Sequence, residues 1–64
     1  MKFNADIVKG KTREETKNNI IANKEIMQAI AIYSGDPEDT ASIMAMFITN
    51  GSDKNVDTEE YKYF

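Results

Sequence analysis

Residues 36–51 read DPEDTASIMAMFITNG and carry the signals for the start, body and end of one helix. Asp36 is suited to cap the first turn, because its carboxylate can accept hydrogen bonds from free backbone N–H groups. Pro37 fits the first helical position, where the N–H that it lacks would have no intrahelical partner. Gly51 is a typical stop signal. The pattern predicts a helix over about residues 37–50.

The centre of this predicted helix is apolar almost all round. Its main face holds five apolar side chains, those of Ala41, Ile43, Met44, Phe47 and Ile48. Met46 lies off that face, so a single neighbouring helix cannot cover all of the apolar surface. We therefore expect this helix to be covered on more than one side.

A second helical pattern lies upstream. Residues 12–15, TREE, match a capping box, in which a threonine and a glutamate three residues later satisfy each other's backbone N–H groups. No proline or glycine follows until Gly35. The pattern predicts one continuous helix over about residues 13–33, with Ile21 and Ile32 roughly opposite its main apolar face.

The two ends of the chain have weaker patterns. Residues 2–8 alternate between polar and apolar side chains, which favours a short strand. Residues 58–63 would place Tyr61 and Tyr63 on one side of an extended segment. Either the two segments pair, in the order β-α-α-β, or the acidic, aromatic-ended tail at residues 52–64 stays loose until it meets a partner. The predicted fold is mainly α, an αα-hairpin with short terminal extended segments.

The chain is short enough to be a single small domain, residues 1–64. A domain of this length buries only about 60% of its unfolded surface. A two-helix hairpin also leaves three apolar side chains uncovered, those of Ile21, Ile32 and Met46. We expect these side chains to mediate self-association into a dimeric helical core. The alternative is that the terminal segments cover them within one chain.

The composition excludes several kinds of chemistry. The chain contains no histidine and no cysteine, so it has neither an imidazole base nor a thiol nucleophile. Residues 53–59, DKNVDTE, resemble the start of a calcium loop. Thr58 stands where that loop needs glycine, and Phe64 stands where it needs a glutamate. We expect no enzymatic activity, no cofactor and no bound metal.

Charge is unevenly distributed along the chain. The formal net charge is −3, with +3 in residues 1–24 and −6 in residues 25–64. A negative net charge is unusual for a nucleic-acid binder, and we expect no direct contact with nucleic acid. The longest uncharged stretch, residues 40–52, is shorter than the roughly 20 residues that span a membrane. We therefore expect no membrane partner and a cytoplasmic location.

These features favour a small non-enzymatic regulator or inhibitor that docks on a larger host protein. The acidic and aromatic residues predicted to make this contact are Asp53, Asp57, Glu59, Glu60, Tyr61, Tyr63 and Phe64. Such a surface could occupy a basic nucleic-acid site on the target. Seven lysines to one arginine, with many isoleucines and asparagines, is a bias typical of AT-rich bacterial or phage genes, and short chains of this size are common in mobile elements. The alternative is a homo-oligomeric structural or assembly protein held together through Ile21, Ile32 and Met46.

Overall fold

A computed structural model describes residues 1–63 of the chain, which is about 60% helical. These residues form three α-helices and a two-stranded antiparallel sheet. In chain order the elements are β1 (Lys2–Asn4), α1 (Arg13–Ala22), α2 (Lys24–Ala31), α3 (Pro37–Thr49) and β2 (Asn55–Asp57), with short 3₁₀ segments at Ala5–Ile7 and Thr58–Tyr61. The prediction of a mainly α fold is confirmed, and the dimeric core stays a prediction.

The helix predicted as continuous over residues 13–33 is two helices, so this prediction is wrong. Asn23 separates α1 from α2 with an extended backbone, φ −91° and ψ 102°. Its N–H donates to the Ile20 carbonyl, and its side-chain Oδ1 accepts from the Ile26 N–H, each at 3.0 Å. On a straight helix Ile20 and Ile26 would lie about 120° apart. The break allows both side chains to be fully buried in the same core.

A buried threonine in α1 ties three segments together. Thr16 Oγ1 accepts from the Gly10 N–H and from the Thr49 hydroxyl, each at 2.9 Å. Gly10 leaves room for Glu15, since a Cβ at position 10 would lie 2.6 Å from the Glu15 Cγ. One hydroxyl therefore joins the loop before α1, α1 itself and the last turn of α3.

The helix predicted over residues 37–50 is confirmed as α3. Asp36 caps its first turn by accepting from a backbone N–H at 3.2 Å. At its end the N–H groups of Gly51 and Ser52 donate to carbonyls of the last turn, each at 3.0 Å. Gly51 has φ +76°, a left-handed conformation that glycine adopts at little steric cost. The start and stop signals act as the sequence predicts.

The two terminal segments pair, with Phe3 opposite Val56 in the antiparallel register. Their predicted extents are wrong. β1 covers only the first part of the strand predicted at residues 2–8, and β2 ends just before the one predicted at residues 58–63. Each segment continues as a 3₁₀ turn rather than as a strand.

Short polar side chains explain why both strands stop early. Asn4 Oδ1 accepts from the N–H two residues on, at 2.8 Å, and Asp57 Oδ1 does the same at 3.1 Å. Such bonds favour a turn over continued strand pairing. The sheet is therefore only three residue pairs long.

The core lies between the three helices, the sheet and the second 3₁₀ segment. α1 packs mainly on α3, and α2 contacts α3 and the Thr58–Tyr61 segment. The buried apolar side chains are those of Ala5, Val8, Ile20, Ile26, Ile30, Ala41, Met44, Ala45, Ile48, Val56 and Tyr61. No helix within residues 1–63 is long and apolar enough to cross a membrane.

Candidate protein-docking site

A shallow pocket of about 180 Å³ lies where the end of α3 meets the Thr58–Tyr61 segment. Its lining combines two aromatic rings and two carboxylates, from Phe47, Tyr61, Asp53 and Glu60. The ring centroids of Phe47 and Tyr61 are 6.2 Å apart, and the ring planes are tilted by 58°. Within residues 1–63, no basic side chain lines this pocket. We refer to it as the Phe47–Tyr61 pocket.

The turn after α3 places Asp53 in this pocket. Gly51 reverses the chain in its left-handed conformation, and Asp53 follows two residues later. Asp53 is half-buried and accepts a hydrogen bond from the Tyr61 hydroxyl. The stop signal of a helix thus positions one of the acidic side chains of the pocket.

The Tyr61 side chain is a wall of the pocket and also part of the core. It is only 5% exposed, and burial is the main reason why the pKa of its hydroxyl is raised well above the ordinary value of 10.0. The hydrogen bond to Asp53, and then the negative charges of Asp53 and Glu60, raise the pKa further. At neutral pH the hydroxyl is therefore a donor that holds the Asp53 carboxylate in place.

The predicted acidic residues differ in how they are engaged. Asp57 lies 3.8 Å from the N-terminal ammonium group, and its carboxylate also caps the second 3₁₀ segment. Glu59 forms an ion pair of 3.8 Å with Lys62. Glu60 is exposed and forms no ion pair within residues 1–63. Among these three acidic residues, Glu60 is thus the one whose carboxylate forms no ion pair within residues 1–63.

The predicted aromatic anchors lie in different environments. Tyr63 is 85% exposed, and the Lys62 ammonium group lies 5.2 Å from the centroid of its ring. Tyr61 is buried beside Phe47, and Phe64 lies outside the described residues. The role of all three in partner binding stays a prediction.

The residues predicted for self-association lie in three separate places, in α1, just after α2 and on α3. Ile21 in α1 is half-buried and packs against the core. Ile32 follows α2 and is 75% exposed, whereas Met46 on α3 is 36% exposed. Self-association through these side chains stays a prediction.

Phe47 belongs to the pocket, and sequence reasoning missed it. The helical pattern assigns Phe47 to the main apolar face, which suggests a core residue. In the structure it is half-buried at the edge of that face, against Tyr61. Phe47 lies four residues before the stop signal at Gly51. Because the chain turns back at that point, this spacing could have predicted a contact between Phe47 and the segment that follows the helix.

A second shallow groove is lined by two cationic side chains and one anionic side chain. It lies between α1 and α3 and is lined by Arg13, Glu14, Lys17, Asn18 and Ser42. The Arg13 guanidinium is already engaged, since it donates to the Ser42 hydroxyl at 2.8 Å and to the Ser42 carbonyl at 3.2 Å. Its contacts therefore hold the two helices together.

The described residues also contain no cluster of three or more aspartate, glutamate, histidine or cysteine side chains that could hold a metal ion. Comparison of the chain with known protein families, with curated protein sequences and with solved structures finds no match.

Proposed function

We propose that this chain is a small non-enzymatic regulator that docks on a larger protein and accepts a basic side chain in the Phe47–Tyr61 pocket. The observation that carries this proposal is the lining of that pocket, in which two aromatic rings stand beside the carboxylates of Asp53 and Glu60. In protein interfaces an arginine or lysine side chain is bound by aromatic rings through cation–π contacts and by carboxylates through charge-assisted hydrogen bonds.

An arginine suits the pocket better than a lysine does. A guanidinium group is planar, so it can stack on an aromatic ring while its N–H groups donate to a carboxylate. Glu60 is exposed and can move toward such a group, whereas Asp53 is held by the Tyr61 hydroxyl. We therefore assign Glu60 the main ionic contact and the half-buried Phe47 ring the stacking contact.

The size of the pocket favours one side chain over a free small molecule. Small-molecule sites usually enclose about 300–1,000 Å³. The Phe47–Tyr61 pocket has about 180 Å³ and is open to solvent. A partner protein would place a single anchoring residue there and make its remaining contacts with the surrounding surface, including the exposed Tyr63.

This mode of docking explains how the chain would regulate its target. A basic segment that binds in the pocket is no longer free to bind phosphate groups, and the acidic surroundings would strengthen that competition. Inhibition of a target with a basic functional surface is therefore the expected outcome.

The test is affinity purification of the tagged chain from nuclease-treated bacterial lysate, followed by native mass spectrometry. Glu60→Lys is compared with Glu25→Lys, because both replace an exposed glutamate by lysine and only Glu60 lines the pocket. We expect one stoichiometric protein whose retention falls about tenfold in Glu60→Lys, the effect of losing roughly 1.4 kcal/mol. Equal retention by the two variants would contradict the proposal.

A direct test uses a blocked glycine–arginine–glycine peptide as the probe and the matched citrulline peptide as the control. The arginine peptide should shift the ring-proton signals of Phe47 and Tyr61 in NMR spectra. Citrulline has nearly the same shape without the charge, so it should shift them much less. Similar shifts with both peptides would show that the pocket does not select a cation.

A further inference from the structure

One side of α3 is largely exposed among residues 1–63. Ser42 contacts Arg13 of α1, and Phe47 contacts the Tyr61 ring. On a helix with about 100° per residue, these two positions bound a solvent-facing sector of roughly 140°. The buried side chains of α3 all lie outside this sector, Thr40 just beyond the Phe47 edge and Ala41, Met44, Ala45 and Ile48 on the other side.

Four residues follow this sector along the helix at spacings of four, three and four. They are Asp39, Ile43, Met46 and Asn50, and we call them the α3 seam. Ile43 is half-buried with part of its side chain against the core, Met46 is 36% exposed, and the two polar ends are exposed. This spacing is the one by which two helices pack side by side in a coiled coil.

The chain's own terminal segments are not available to cover the seam. β1 and β2 pair with each other, and the segment Thr58–Tyr61 packs on the Phe47 side of α3 and on α2. Any occupant of the seam therefore comes from another molecule.

We propose that a second copy of this chain occupies the seam, with the two α3 helices antiparallel. Twofold rotation about the point between residues 44 and 45 places Ile43 of each copy opposite Met46 of the other. The same rotation places Asp39 opposite Asn50, whose side-chain amide can donate to the carboxylate. The seam is thus complementary to itself at all four positions.

The parallel arrangement lacks this complementarity. It would place Asp39 opposite Asp39 at one end, and like charges that meet in this way repel. It would also align the two helix dipoles in the same direction, whereas the antiparallel pair places opposite partial charges together. Charge and hydrogen bonding therefore select the antiparallel register.

The contact between two single helices is small. A stable complex usually buries about 800 Å² on each partner, which is more than a helix of 13 residues can provide on one side. The pair is therefore a weak dimer in rapid exchange, and its population depends on concentration.

The experiment is sedimentation equilibrium over a wide range of concentrations, with the untagged chain. The wild type should show a monomer–dimer equilibrium, and Met46→Glu should weaken it by at least about tenfold, because a charge then lies at the centre of the seam. Ile7→Glu is the matched control, since Ile7 is 60% exposed and lies outside the seam. A wild type that is monomeric at its highest soluble concentration would overturn the proposal, and so would equal effects of the two variants.

Substitutions at the C-terminal end of the seam test the orientation. Asn50→Lys places a positive charge opposite Asp39 in the antiparallel pair and should strengthen association. Asn50→Asp should weaken it, and each change should be about tenfold, because it acts at two symmetric contacts. In a parallel pair Asn50→Lys would bring two lysines together and weaken association, which would contradict the proposed register. Circular dichroism confirms that each variant is folded.

Discussion

Tyr61 connects the apolar core to the acidic surface through a single hydroxyl group. Its ring packs against Phe47, and its hydroxyl donates to Asp53. Composition alone marks Asp53, Glu60 and Tyr61 as candidate contact residues. The pairing of a hydroxyl and a carboxylate eight residues apart depends on the turn at Gly51 and on the 3₁₀ segment, so the pocket itself could not be predicted from the spacing.

The raised pKa of Tyr61 makes the free energy of unfolding depend on pH. The unfolded chain loses the phenol proton near the ordinary pKa of 10.0, while the folded chain retains it to higher pH. The unfolded state therefore gains stability as the pH rises above about 10, and the folded state loses stability relative to it. Below that pH the full contribution of the buried, hydrogen-bonded phenol is present.

Tyr61→Phe tests this dependence. Near pH 7 we expect the variant to be less stable by about 0.5–1.5 kcal/mol, because it lacks the hydrogen bond to Asp53. As the pH rises past about 10 the difference should narrow, since only the wild type loses stability through this phenol. Urea unfolding of both proteins at several pH values measures the difference, and a difference that stays constant would contradict the prediction.

At the scale of elements, the sequence predicts a helix well when its start and stop signals lie at the two ends of the helix itself. α3 has its cap, its proline and its stopping glycine inside residues 36–51, so its bounds are correct to within one residue. The upstream helix shows the limit of this reasoning. Asn23 is tolerated inside many helices, so its presence alone does not mark the break, across which Ile20 and Ile26 are both buried in one core.

The junction at Asn23 predicts a specific loss of stability. Asn23→Ala removes the hydrogen bond that Oδ1 accepts from the Ile26 N–H, so we expect a loss of about 0.5–2 kcal/mol in the free energy of unfolding. Asn23→Asp keeps an acceptor at the same position and should stay close to the wild type. Asn18→Ala, at an exposed position within α1, is the control for replacing an asparagine. Urea unfolding that finds Asn23→Ala as stable as Asn18→Ala would show that Asn23 is not a helix cap.

At the scale of the whole molecule, the short sheet joins segments that are more than 50 residues apart in sequence. Strands of three residues carry little local signal, and this is why the sequence left open whether the terminal segments pair. Once they pair, Val56 is 1% exposed in the same core as the helices, and Tyr61 follows it within five residues. The terminal segments should therefore unfold together with the helices.

Val56→Ala tests this cooperativity. Removing two methyl groups from the core should lower the free energy of unfolding by about 1–3 kcal/mol. Because the sheet and the helices share one core, the helical signal in circular dichroism and the NMR signals of the Tyr61 ring should shift to the same lower midpoint. Asn55→Ala, on the exposed neighbouring residue, should leave both midpoints nearly unchanged. If Val56→Ala moves the Tyr61 transition and leaves the helical transition in place, the C-terminal segment unfolds as a separate unit, which is the loose tail that the sequence also allowed.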